Sequence, residues 1–203
     1  MKAVFFDFDG VLTTDKSGTI SICNYISHTC NMDYAAFEKV YKKYNVRLLK
    51  GQLTHREIWG SICKELNADI PYDSLFESFI NTPIDNDMIH LLKQLRECSL
   101  KIGMITDNKR DRIDTVMAYH SWYSLFDVVT VSADIGSGKS HMDIFNIACE
   151  KMAVMPNESV FIDNSEENLL IPDKMGMFTF LYDDVYRDIS KLVAYLQSLG
   201  IPC

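Results

Sequence analysis

Ala3-Val4-Phe5-Phe6-Asp7-Phe8-Asp9-Gly10-Val11-Leu12-Thr13 decides how this chain folds. Its first four residues form an unbroken apolar run of aromatic and β-branched character, as a strand covered on both faces requires. Two acids follow at i and i+2. On an extended backbone they share one side, while Phe8 between them points to the other. Carboxylates that close destabilise one another unless a cation stands between them or one holds a proton. Gly10 then lets the chain turn and offer its amides to an anion. The stretch predicts a buried strand that delivers two carboxylates to its carboxyl end.

Working outward, similar runs recur at Ile102–Ile105, Val128–Val131, Val160–Ile162 and Phe178–Leu181. Helical periodicities lie among them: Met88, Leu91, Leu92 and Leu95, then Ile113, Val116 and Met117, then Ile144, Ile147 and Ala148, and finally Ile189, Leu192, Val193 and Leu196. This alternation predicts an α/β fold, a Rossmann-like parallel sheet with helices on both faces. One block departs from it. Residues 17–83 carry only helix-like segments, roughly Ile20–His28, Asp33–Val46, Thr54–Leu66 and Tyr72–Phe79, with a capping box at Thr54-His-Arg-Glu57. The expected organisation is a core of residues 1–16 and 84–203 with a small all-helical cap of residues 17–83 inserted after the first strand.

The 203 residues are 47% hydrophobic and 24% charged, an ordinary globular balance that excludes disordered and low-complexity chains. A net charge of -8 argues against a protein that lives by neutralising nucleic-acid phosphates. Any phosphate chemistry here needs a local cation to reverse the field. The six cysteines, at 23, 30, 63, 98, 149 and 203, form no C-x-x-C pair, so zinc and redox motifs are unsupported. They read as core filler in a reducing compartment. With no signal h-region and no apolar run of membrane length, the expected location is cytoplasmic, without membrane, nucleic-acid or obligate protein partners.

Ligands of parallel α/β sheets bind beyond the carboxyl ends of the strands. The polar residues that follow each run are therefore candidates: Asp7 and Asp9, then Thr106, Asp107 and Asn108, then Lys139 after Gly136-Ser137-Gly138, and Asp163 and Asn164 with Glu166 and Glu167 beyond. Mg²⁺ suits such a set of hard oxygen donors. It would be held by Asp7, by Asp163 and by a backbone carbonyl, with waters and a substrate phosphate completing the shell, and Asp9 counts among the metal residues.

Asp7-Phe-Asp9-Gly-Val-Leu-Thr13, the hydrophobic-Thr106-Asp107-Asn108 segment, Lys139, and Phe161-Ile-Asp163-Asn-Ser-Glu-Glu-Asn168 resemble the four signature motifs of the haloacid dehalogenase-like hydrolases. Order and spacing agree over the whole chain, and the helical block sits where the small-helical-cap branch inserts its cap. The pattern around Lys50–Trp59 and Leu95–Asn108 looks most like the branch of small sugar-phosphate phosphatases and β-phosphoglucomutase. The resemblance implies that Asp7 is the nucleophile and Asp9 the general acid and then base. It also implies that Thr106 and the Asp107 amide bind phosphoryl oxygens, that Lys139 neutralises charge on Asp7 and the transferring group, and that Asp163 anchors Mg²⁺. The implied substrate is a small phosphorylated metabolite. A phosphomutase and a non-catalytic phospho-aspartate scaffold are the alternatives, while Asp9 argues against the carbon-attacking dehalogenases.

Several positions read as structural or depart from the family pattern. Asn164 reads as a helix cap, Asn168 as a helix or loop contact, and Glu167 as a helix-start acid or a second acid near the metal. Lys139-Ser-His141-Met replaces the usual Lys-Pro-Asp-Pro, which loosens the loop around Lys139, and His141 reads as incidental. Pro172 should break the helix after Asp163. Arg47 and Lys50 flank Gly51 in a cap turn that either faces solvent or meets the substrate.

Overall fold

The computed structural model describes residues 1–202, so the reading of Cys203 lies outside the described residues. Five parallel strands form one sheet: β1 (Ala3–Phe6), β2 (Lys101–Thr106), β3 (Val128–Val131), β4 (Ser159–Asp163) and β5 (Phe178–Leu181). Their order is β3-β2-β1-β4-β5, which puts β1 at the centre with all four of its residues fully buried. Alternation along β1 divides the interior in two. Val4 and Phe6 join one cluster with Met88, Leu92, Ile113 and Leu192, while Ala3 and Phe5 join another with Ile144, Phe145, Phe161 and Leu169. The first cluster packs helices α5 (Asn86–Glu97), α6 (Arg110–Tyr119) and α10 (Ile189–Ser198) on one face. The second packs α8 (Met142–Met152) and α9 (Glu166–Lys174) on the other, and a short α7 (Ser132–Ile135) follows β3.

The register aligns the strand ends. Phe6 pairs with Met104 on one side and Ile162 on the other, so one residue further along Asp7 lies beside Asp163, with Thr106 ending the next strand.

Four helices build the cap: α1 (Gly18–Thr29), α2 (Tyr34–Leu49), α3 (His55–Leu66) and α4 (Asp73–Ile80). Thr54 and Glu57 close the expected capping box on α3. The cap joins the core through a two-stranded stem. Thr13 and Ile84 form an antiparallel bridge, Thr14 N donates to Pro83 O at 2.9 Å, and Asp85 N donates to Leu12 O at 3.0 Å. Three further contacts hold it over the strand ends. The Ser132 hydroxyl donates to Leu49 O at 2.7 Å. The His55 ring, fully buried, donates from Nδ1 to Asp111 at 2.7 Å and accepts from the Tyr41 hydroxyl at Nε2, 2.8 Å away. Gly51, with φ +63, lies so close to α7 that a Cβ there would come within 2.0 Å of Ala133 O.

Two expectations are corrected. Pro172 does not break α9, which runs from Glu166 to Lys174 with the proline inside it. The ring is buried, and Met175 N donates to the carbonyls of both Ile171 and Pro172, so packing and a tightened last turn replace the lost hydrogen bond. The cysteines are not uniformly core: Cys23 and Cys149 are buried, Cys30 and Cys63 half-buried, and Cys98 exposed. No helix among the described residues is long and apolar enough to cross a membrane.

Candidate active site

Asp7 leaves β1 with its amide still bonded to Ile162 O at 2.9 Å, and the chain then turns through Gly10 at φ +79. Arg187 clamps that turn. It donates to Gly10 O and Val11 O at 3.1 and 3.0 Å and pairs with Asp85. Only 5% of Asp7 is exposed. Its Oδ2 lies 2.8 Å from Lys139 Nζ, while its Oδ1 is buried without a partner. The same ammonium reaches Asp163 Oδ2 at 2.6 Å, so one lysine serves two carboxylates.

The electrostatics follow from that imbalance. Burial, opposed by Lys139 but reinforced by Asp163 and Asp9, pushes the Asp7 carboxyl up to about 7. Burial alone would depress Lys139, yet the carboxylates of Asp7, Asp163 and Asp107 outweigh it and raise the ammonium above its ordinary range. The cluster is one cation short. Asp163 is the best-satisfied member: its Oδ1 accepts from Ser165 N at 2.8 Å and from Asn168 Nδ2 at 3.0 Å.

Lys139 does not depend on prolines for its place. Its amide donates to Asp107 Oδ1 at 3.0 Å, and Gly138 packs so tightly on that carboxylate that a Cβ would meet it at 2.7 Å. The Asp107 side chain therefore holds the loop that the missing prolines would have stiffened.

Asp9 takes a partner that the sequence reading did not name. Arg112, fully buried on α6, grips it bidentately, Nη1 to Oδ2 at 2.9 Å and Nη2 to Oδ1 at 2.8 Å. Asn108 Nδ2 adds a third bond to Oδ2 at 2.9 Å. Both oxygens are thus occupied as acceptors. Among the described residues no three acidic, histidine or cysteine side chains converge as a metal cluster, because Arg112 draws the Asp9 side chain aside. Asp9 could serve a metal only through its backbone carbonyl. The donor chemistry nonetheless fits Mg²⁺: two buried carboxylates lie side by side and share a single ammonium.

Thr106 is buried in the same cleft, with its hydroxyl 3.4 Å from Asn108 Nδ2. A cavity of about 210 Å³ opens over Asp7, Asp9, Thr106, Asp107 and Lys139, roofed by Asn45 and Leu49 of the cap. Of the remaining candidates, Asn164 and Asn168 line the same cavity. Asn164 donates to Asp184 rather than capping α9, whose N-cap is Ser165. Glu166 and Glu167 are exposed in the first turn of α9, and Asn168 is the α9 side chain that meets Asp163. The cap turn docks beside the site, with Lys50 and His141 lining a neighbouring cavity of about 270 Å³, whereas Arg47 is exposed.

Residues 1–176 match the family model described as haloacid dehalogenase-like hydrolase. The chain belongs to that family. It is 23% identical over 220 residues to mouse (Mus musculus) acyl-CoA dehydrogenase family member 10, covering 99% of this chain but only 20% of that much longer protein. It is 22% identical over 180 residues to the validoxylamine A 7'-phosphate phosphatase of Streptomyces hygroscopicus subsp. limoneus, covering 87% of this chain and 83% of that one. Among solved structures, a HAD family enzyme of Bacteroides thetaiotaomicron in complex with magnesium and inorganic phosphate superposes with a TM-score of 0.74 at 20% identity, over 95% of this chain and 98% of that one. The likeness to that enzyme extends to the fold over nearly the whole of both chains.

Proposed function

We propose that this hydrolase is a Mg²⁺-dependent phosphatase of small phosphorylated metabolites that works through an aspartyl phosphate. One observation carries the reading: Asp7, buried at the end of the central strand, has one oxygen held by Lys139 and the other without a partner. Such a carboxylate is a poised nucleophile. Asp7 Oδ1 attacks phosphorus, the P–O ester bond breaks, and the leaving oxygen takes a proton. Water then attacks the same phosphorus, the P–Oδ bond breaks, and Asp7 is regenerated. Lys139 stays in place through both steps, offsetting the charge that moves between Asp7 and the phosphoryl group. Thr106 and the Asp107 amide hold the equatorial oxygens.

Asp9 is the proton carrier. As it stands, its oxygens accept from Arg112 and Asn108, which suits the base of the second step. Protonating the leaving oxygen in the first step requires the carboxyl to give up one of these donors. Asp7, Asp163 and the Asp9 carbonyl are the groups that would hold Mg²⁺, which would supply the missing positive charge. The relative that dephosphorylates validoxylamine A 7'-phosphate supports a phosphoryl ester as substrate, and a cavity of about 210 Å³ supports a small one.

Phosphate release from a panel of small phosphate esters, with Mg²⁺ and with chelator, tests this. Expected are Mg²⁺-dependent turnover and none for Asp7→Asn. Multiple turnover by verified Asp7→Asn protein would remove Asp7 from the nucleophile role.

A further inference from the structure

Lys109 sits at the N-cap of α6, is 5% exposed, and lines the active-site cavity. Lys139 spends its charge on Asp7 and Asp163, whereas among the described residues no acceptor meets Lys109 Nζ. It stands over the face of Tyr41, 5.6 Å from the ring centroid. Burial, with Arg112 adding to it and the charges of Asp9 and Asp111 only partly opposing it, pushes the ammonium down to about 8. A buried charge without a direct ion pair costs several kcal/mol. A chain that keeps one at the wall of its active site holds it for a group that arrives with the ligand.

The wall of the same cavity contains a second donor. Ser17, Gly18 and Thr19, which begin the twelve-residue α1, line it. The Ser17 hydroxyl caps none of the first-turn amides, so the positive end of the helix dipole is left to the cavity. Neither feature is needed for the phosphoryl group already assigned to Lys139, Thr106 and the Asp107 amide.

We propose that Lys109 and the N-terminus of α1 form a second anion subsite, and that the substrate carries a carboxylate or a second phosphate beside its phosphoryl ester. This rests on the phosphatase reading and narrows it. A monophosphate with no second anionic group would leave Lys109 unpaired and be discriminated against. Both features line the same cavity as Asp7 and Lys139, so the two anionic groups lie within a few bonds of each other.

Calorimetry with Mg²⁺ in excess tests the subsite without turnover. Phosphonoacetate should bind at least about tenfold more tightly than ethylphosphonate. Lys109→Met should erase most of that advantage, and Lys109→Arg should keep part of it. Paired substrates then separate the two anions: 2-phosphoglycolate against 2-hydroxyethyl phosphate, and propane-1,3-diol bisphosphate against 3-hydroxypropyl phosphate. The anionic member of at least one pair should show the higher kcat/KM, chiefly through KM, and the preference should collapse in Lys109→Met. Equal binding of both phosphonates, or an advantage untouched by Lys109→Met, would overturn the subsite. If no ester is hydrolysed yet the Lys109-dependent phosphonoacetate advantage persists, the phosphatase reading fails and the subsite stands. If esters with and without the second anionic group are hydrolysed alike, the subsite fails and the phosphatase stands.

Discussion

Asp7→Asn should make the protein more stable in the presence of chelator. Burial raises the Asp7 carboxyl from 3.8 to about 7, a shift of about three units. At 1.36 kcal/mol per unit this amounts to about 4 kcal/mol. The sign is set by linkage. The unfolded chain gives up this proton near 3.8, while the folded protein keeps it until about 7. The stability associated with the neutral carboxyl is therefore full below 3.8 and is lost as pH rises through about 7. At pH 8 the wild type carries the whole penalty, and Asp7→Asn carries none. The shift already sets the attraction of Lys139 against burial and the neighbouring acids, so the expected gain at pH 8 is about 4 kcal/mol at most. Urea denaturation with chelator at pH 8 and pH 4 measures it: Asp7→Asn should be the more stable at pH 8, and the gap should close toward pH 4. Mg²⁺ should stabilise the wild type more than the variant. A variant less stable at pH 8, or a gap that widens on acidification, would refute the reasoning.

Arg112→Met should cost about 3–5 kcal/mol in denaturation, because it leaves Asp9 buried with Asn108 as its one remaining donor, and adding Asp9→Asn should recover part of the loss. Gly51→Ala should cost about 1–3 kcal/mol and raise KM, since the new Cβ strains a left-handed residue and strikes Ala133 O, pushing the cap off the core. His55 is held below its ordinary value, first by burial, so its contribution is full above 6.5 and is lost as pH falls below that, when the unfolded chain takes a proton the folded one refuses. Denaturation of His55→Phe should show a flatter stability profile across that window.

The sheet was legible because a parallel interior demands continuous apolar runs, and β1, β3 and β5 begin and end where those runs do. β2 and β4 extend further, to Thr106 and Asp163, because backbone pairing continues past the last apolar side chain. The residues of the strand ends were legible for the same reason: Asp7, Thr106 and Asp163 follow directly on their runs. Arg112 was not, since Lys109-Arg110-Asp111-Arg112 reads as a solvated charge run. A signal was nonetheless present. Positions 109, 112, 113, 116 and 117 share one face of α6, so the apolar stripe of Ile113, Val116 and Met117 carries two cations into the interior. Asp107 and Asn168 were missed as supports because no local pattern tells a side chain that steadies a loop from one that faces water.

The two-stranded stem at Thr13 and Ile84 has an evolutionary consequence. Because the chain departs and returns at neighbouring points, the whole helical block can be exchanged for another without re-threading the sheet. Everything proposed for bond-making — Asp7, Asp9, Thr106, Lys139 and Asp163 — stays on the core side of that junction. Asn45, Leu49 and Lys50 lie on the replaceable side. Lys109 and the start of α1 straddle the boundary, one on each side. A lineage that swapped its lid would therefore inherit the chemistry intact but have to rebuild half of the second anion subsite.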